Sequence, residues 1–190
     1  MYHIKDDKRA RTSAELIYEG LVQCLRWKPF EFVTVTDVLR ISGVGRATFY
    51  RNFDNLIDVL QMKCDQCFRE VLEQYLEDHK TGQTNSHSFL VHFFRYWMEN
   101  RELLEVLIAM NRQDIIYTSH YRYSTPITAR FLPEVDTSLD EYVYFMTVRT
   151  SITVGVLTAW VKTGRTKTPE QLVELLIELG RQAASGEIVL

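Results

Sequence analysis

Residues 46–51 carry Arg46, Ala47, Thr48, Tyr50 and Arg51, a set of donors around a small apolar gap that suits the edge of a DNA duplex. Arg46 can donate to guanine or to phosphate, and the hydroxyls of Thr48 and Tyr50 can donate to phosphates. Ala47 lets a helix axis come close or meets a thymine methyl. Such contacts work only from a rigid element, so the segments on either side decide whether this chemistry is available.

Phe49 and Phe53 stand four residues apart, on one face of a helix spanning about residues 46–52, which directs Arg46, Ala47, Tyr50 and Arg51 elsewhere. Before it, Thr34 can cap a shorter helix, its hydroxyl accepting the amide hydrogen of Asp37 while the Asp37 carboxylate reaches back. Val35, Val38 and Leu39 form the inward stripe of that helix. Gly43 follows its last residue, where a left-handed conformation is cheap only without a Cβ, and Val44 can plug the angle between the helices. The result is a helix-turn-helix. Taken alone, the pattern fits an ordinary helical hairpin in a core equally well.

The longer run narrows the choice. Lys28-Pro-Phe-Glu-Phe-Val-Thr-Val-Thr-Asp-Val-Leu followed by Gly43-Val-Gly-Arg-Ala-Thr-Phe-Tyr-Arg-Asn-Phe strongly resembles the DNA-binding domain of the TetR/AcrR family of bacterial transcriptional regulators, over about residues 8–60. The resemblance implies that Thr34, Thr36, Gly45, Arg46, Ala47, Thr48, Tyr50, Arg51 and Asn52 lie at the DNA. It also implies a homodimer on an inverted-repeat operator of double-stranded DNA, and a C-terminal helical domain that binds a small effector and changes the spacing of the two heads. The fourth helix, spanning about residues 56–79, would carry that motion. The sequence departs from the family at Gly45, usually a polar residue, and at Leu56, usually a lysine, so two phosphate donors are missing. Either Leu56 leaves a phosphate uncontacted, in which case Leu56→Lys tightens binding and steepens its salt dependence, or it packs inward against Phe53 and Leu60.

With 190 residues, 46% apolar and 25% charged, the chain can bury a sizeable core and is not a disordered tail. Its net charge of −3 is unevenly spread. Residues 1–53 hold nine Lys/Arg against six Asp/Glu, a net +3, which leaves −6 for the rest. A mildly basic head on an acidic body fits a DNA-reading domain joined to one that avoids phosphate. The basic start of the first helix, Lys8, Arg9 and Arg11, is either close to phosphates or simply solvated. The chain has no run of apolar residues long enough to span a bilayer and no leader-like start, from which a soluble cytoplasmic protein with no membrane partner is expected.

The rest of the chain reads as helices. Ala14, Ile17, Leu21, Cys24 and Leu25 mark a first helix over residues 8–27, ended by Lys28-Pro29. Asp54 or Asn55 caps the fourth, whose apolar positions are Leu60, Cys64, Cys67, Phe68, Val71, Leu72, Tyr75 and Leu76. A polar loop over residues 80–86 precedes a fifth helix (Leu90, Phe93, Phe94, Trp97) and a sixth (Leu103, Leu104, Leu107, Ile108), with Asn100 as the cap between them. Over residues 113–137, with Tyr117, Tyr121 and Tyr123 ahead of Pro126 and Pro133, a seventh helix frays into a loop. Capping boxes at Ser138–Glu141 and Thr168–Gln171, the second with Pro169 at the first helical position, open two last helices, the final one ending near Gly180. The expected fold is all-α, with about nine helices: a helix-turn-helix domain over residues 1–55 and an effector-binding and dimerisation domain over 56–190.

No catalytic residues, cofactor or metal are expected. Gly-x-Ser-x-Gly, His-Glu-x-x-His and P-loop patterns are absent, and Gly43-Val-Gly45 lacks both the third glycine and the preceding strand of a dinucleotide site. Cys64-Asp-Gln-Cys67 has the spacing of a thiol switch or half a metal site. No second pair or histidine cluster follows, so it reads as two small residues on the inner face of a helix. Phe93, Trp97, Met110, Tyr117, Tyr121, Phe145 and Met146 could line an effector pocket, or could be plain core. Thr147, Ser151, Gly155 and Ala159 repeat every four positions beside Leu172, Leu175, Leu176 and Leu179. That combination of small stripe and leucine face suits a dimer interface between long helices, with packing inside one chain as the alternative. The expected role is a repressor released by an unidentified small molecule. Its alternative is a co-regulator of the same fold acting through a protein partner without an effector.

Overall fold

The computed structural model describes residues 1–80, 88–131 and 140–185, and these form nine α-helices, one 3-10 turn and no strand. Two compact units emerge, Met1–Gln66 and Cys67–Leu190. The sequence-based boundary at 55/56 falls at the start of a helix, and the units part further along the same helix. None of the described helices is long and apolar enough to cross a membrane.

In the first unit, Asp7 starts α1 (Lys8–Leu25) by accepting the amide hydrogen of Ala10 at 2.8 Å, one of the donors a helix start leaves unpaired. Ala14, Ile17, Leu21 and Cys24 face inward, and α1 packs against α2 and α3. Gly20 lets α1 and α2 meet closely: a Cβ there would lie 3.0 Å from the Val38 carbonyl oxygen and 3.1 Å from the Ser42 Cβ. After the turn Phe30–Phe32, α2 (Val35–Ser42) opens on the expected reciprocal cap of Thr34 and Asp37 and closes on Gly43 at φ 69°. Val38 is fully buried, with Val35 and Leu39 half-buried beside it.

α3 (Arg46–Asn52) is short, and α4 (Leu56–Lys80) follows. Asn55 caps α4: its side-chain oxygen accepts from the Asp58 amide at 3.1 Å, while the Asp58 carboxylate accepts from the Asp54 amide at 3.0 Å. The segment before α1 lies across this region. The His3 amide donates to the Asn52 carbonyl at 2.8 Å, and the Tyr2 hydroxyl donates to Asp65, a fully buried carboxylate, at 2.7 Å.

The second unit holds α5 (Ser88–Glu99), α6 (Arg101–Ala109), α7 (Gln113–Phe131), α8 (Asp140–Lys162) and α9 (Pro169–Ser185). Phe68 from α4, Phe93 and Trp97 from α5 and His120 from α7 meet in an aromatic core, with Phe68 centred 5.2 Å from Trp97 and 5.6 Å from His120. α5 packs on α9 and α7 on α8.

Three local details add to or change the expectations. Asn100 separates α5 from α6 as expected and stands at the cap position of α6, though its side-chain amide donates back to the Tyr96 carbonyl at 2.9 Å instead of capping α6. α7 starts at Gln113 as expected and continues through Pro126 to Phe131. Proline removes a ladder donor there; around it Ser124 donates to the His120 carbonyl at 2.6 Å, Thr125 to the Tyr121 carbonyl, and Tyr142 of α8 to the Thr125 carbonyl at 2.6 Å. α9 opens on the expected box of Thr168 and Gln171 but passes Gly180 and ends at Ser185. The expected loop over residues 81–86, Pro133 and the box residue Ser138 lie outside the described residues.

Candidate nucleic-acid interface

The two faces of α3 separate as its spacing requires. Phe49 and Phe53 are fully buried with ring centres 5.8 Å apart, whereas Arg46, Ala47, Tyr50 and Arg51 are exposed and Thr48 is half-buried. Gly45 stands in extended conformation at the helix start, and its carbonyl takes the amides of Thr48 and Phe49 at 2.9 and 3.1 Å. The Arg46 guanidinium lies 5.7 Å over the Tyr50 ring, which meets the Phe49 ring edge-on at 5.2 Å.

Thr34 and Thr36 are exposed at the start of α2. Beside them the Asp37 carboxylate accepts from the Lys28 ammonium at 2.5 Å, from the Thr34 hydroxyl at 2.7 Å and from the Thr34 amide at 2.9 Å, with Arg40 at 3.8 Å. Hydrogen bonds from Lys28 and then Thr34 hold this carboxyl well below the usual carboxylate range. The pairing compensates a negative charge that would otherwise repel a phosphate near α2. Sequence reasoning missed it, because Lys28 read only as a helix stop.

Asn52 does not share the exposed face. It is 2% exposed, three residues from Phe49 on the inward side, with the His3 amide bonded to its carbonyl and its Nδ2 buried. Leu56, only 7% exposed, also packs inward, so the reading in which it leaves a phosphate uncontacted is overturned. Leu56→Lys is therefore expected to bury an ammonium, lower stability by on the order of 2 kcal/mol, and weaken duplex binding at every salt concentration. Thermal melts with fluorescence anisotropy check this; an unchanged melting temperature with a steeper salt slope would contradict it.

In the second unit the expected pocket residues do not form one set. Phe93, Trp97 and Met146 are buried in the core, Met110, Tyr117 and Tyr121 are half-buried, and Phe145 is 40% exposed. Tyr117 and Tyr121 stack on each other at 6.2 Å, and Phe145 stacks on Tyr142 at 6.4 Å. Of the expected interface, Ser151, Gly155, Ala159, Leu175 and Leu179 are exposed, and Thr147 and Leu176 half-buried. Leu172, at 3% exposure, belongs to the chain's own core. It stands on the side of α9 turned inward, where α9 packs on α5.

The three cysteines are free and buried, and no cluster of His, Cys, Asp and Glu among the described residues could hold a metal ion.

Residues 84–182 match a TetR-type family model described as a transcriptional regulator C-terminal region. No curated protein matches the chain. Among solved structures, Lin0861 from Listeria innocua superposes with a TM-score of 0.76 at 19% identity, covering 94% of each chain. A TetR transcriptional regulator from Streptococcus agalactiae gives 0.60 at 18% identity, covering 89% of this chain and 93% of its own. A putative TetR-family transcriptional regulator from Syntrophomonas wolfei gives 0.62 at 15%, covering 95% and 98%. At these identities the likeness is one of fold.

Proposed function

The chain belongs to the TetR family of transcriptional regulators, and from that premise we propose that it is a sequence-specific DNA-binding repressor. The observation that carries the reading is α3, where Arg46, Ala47, Tyr50 and Arg51 are left to solvent by a helix pinned through buried Phe49 and Phe53. Thr34, Thr36, Gly45 and Thr48 supply the neighbouring hydroxyls and backbone for phosphates. The protein works in the cytoplasm, where its operator is. Selection from a pool of randomised duplexes tests the assignment. An inverted repeat with half-sites about one helical turn apart, roughly 34–36 Å, or a multiple of it, is expected. An asymmetric single half-site at saturating protein, or no enrichment at all, counts against it.

The inverted repeat follows from a homodimer, whose surface we assign to α8 and α9. Tyr144, Val148 and Ile152 are 72%, 56% and 48% exposed, on the side of α8 that also carries Ser151, Gly155 and Ala159. Leu175 and Leu179 of α9 are 38% and 42% exposed. An apolar helix face of this extent is normally covered. A Cβ at Gly155 meets nothing within 4 Å in its own chain, so Gly155→Leu is silent for the isolated fold but holds two closely packed helices apart. The variant is expected to scatter light as a 22.4 kDa particle and the wild type as twice that. An intact Gly155→Leu dimer would move the interface elsewhere.

The effector is assigned to the second unit on the family likeness of residues 84–182. Its binding lowers DNA affinity, and by linkage operator DNA must weaken the effector by the same factor. Effector affinity indifferent to saturating operator would remove release by a small molecule from the reading.

A further inference from the structure

An arginine in the first turn of a helix gains nothing from the helix dipole, whose positive end disfavours its charge. Arg46 is in that position, exposed and long. What it has instead is the Tyr50 ring one turn on, 5.7 Å from the guanidinium carbon. That ring has a support of its own: it stands edge-on to Phe49, at 5.2 Å and 87°, and Phe49 is fully buried. A line of contacts thus runs from the core of the first unit to a surface cation. A guanidinium laid against a ring keeps its in-plane donors available, and those donors match the paired acceptors of guanine.

We propose that Tyr50 is a positioning residue for base recognition, its ring fixing the orientation in which Arg46 reads a base. This rests on the DNA-binding reading and adds to it a division of labour within one side chain. The hydroxyl serves a phosphate and sets affinity alike on any duplex, whereas the ring serves Arg46 and sets the preference for one sequence.

The test uses the full-length protein, the duplex it selects from a randomised pool and a shuffled duplex of the same composition. Affinity for both is measured for the wild type and for Tyr50→Phe, Tyr50→Ala, Tyr50→Leu, Arg46→Ala and the Arg46→Ala/Tyr50→Ala double variant. The ratio of selected to shuffled affinity is the readout. Tyr50→Ala is expected to lower it roughly fourfold to twenty-five-fold, counting a twofold to fivefold effect in each of two heads. Tyr50→Phe keeps the ratio within about twofold while weakening both duplexes together. In the Arg46→Ala background, adding Tyr50→Ala leaves the ratio unchanged. Tyr50 is 48% exposed, so these variants should melt as the wild type does. If Tyr50→Ala does not, Tyr50→Leu, which keeps bulk without a π-face, decides in its place.

Equal weakening of both duplexes by Tyr50→Ala overturns the proposal, as does a further fall in ratio beyond that of Arg46→Ala. If the wild type enriches no sequence, the DNA-binding reading falls with it. Enrichment by the wild type with independent effects at the two positions overturns the positioning role alone.

Discussion

Phe49→Ala is expected to unfold most of the Met1–Gln66 unit and abolish duplex binding. Phe49 is wholly buried, its ring against Phe53 at 5.8 Å and Tyr50 at 5.2 Å. Removing a buried phenyl ring costs about 3–5 kcal/mol in lost transfer energy and cavity. A unit this short has a core that supplies only about 3–5 kcal/mol of net stability, so the loss consumes nearly all of it. Hydrogen exchange should show protection lost across α1 to α3 while α5 to α9 remain protected. Wild-type protection in the variant would mean that α3 is held by something other than its aromatic face.

The second large effect is on stability in acid, and it comes from His120. This imidazole is 1% exposed, between the rings of Phe68 and Phe93 at 5.6 and 5.5 Å, with Nδ1 at 3.0 Å from the Thr150 hydroxyl and 3.4 Å from Ser124. Burial pushes its pKa down to about 3, and the nearby charge of Arg149 adds to the shift. In the unfolded chain the same group titrates near 6.5. Between those values the unfolded chain takes up a proton that the folded one refuses. Stability is therefore full above about pH 6.5 and declines as pH falls, by about 1.4 kcal/mol per unit, reaching roughly 2 kcal/mol at pH 5. Urea titrations at pH 7.5 and pH 5 should show the wild type losing that much more than His120→Gln. Equal losses would show that His120 accepts a proton in place.

What the sequence made legible was local. Thr34 and Asp37 lie three residues apart, Gly43 needs only its own φ of 69°, and Thr168 with Gln171 repeats the capping logic, so each could be read without knowing the rest of the chain. α3 was found with the same bounds because Phe49 and Phe53 mark its inner face by spacing alone. Asn52 was misplaced as DNA-facing, and Leu56 was left with two readings, because their burial is tertiary. No periodicity in residues 46–56 reveals that the segment carrying Tyr2 and His3 lies against this region. The same holds for Lys28, whose partner Asp37 is on another element, and for Pro126, beside which Tyr142 of α8 donates to the Thr125 carbonyl of the continuing helix. Leu172 shares its spacing with Leu175 and Leu179, and only tertiary burial separates an inner leucine from outer ones.

The burial of every cysteine gives the molecule a kinetic record of its own opening. Thiolates react and thiols do not, and burial pushes the Cys24 thiol up. An aromatic disulfide reagent can consume Cys24, Cys64 or Cys67 only while the surrounding helices are parted. Cys24 stands on α1, and Cys64 and Cys67 stand one turn apart on α4, so the colour released by the reagent reports the opening of these two helices. A ligand that stabilises the closed form slows the thiols it keeps covered in proportion to its occupancy. Duplex binding should accordingly be readable as the slowing of Cys24, with no label attached to either molecule.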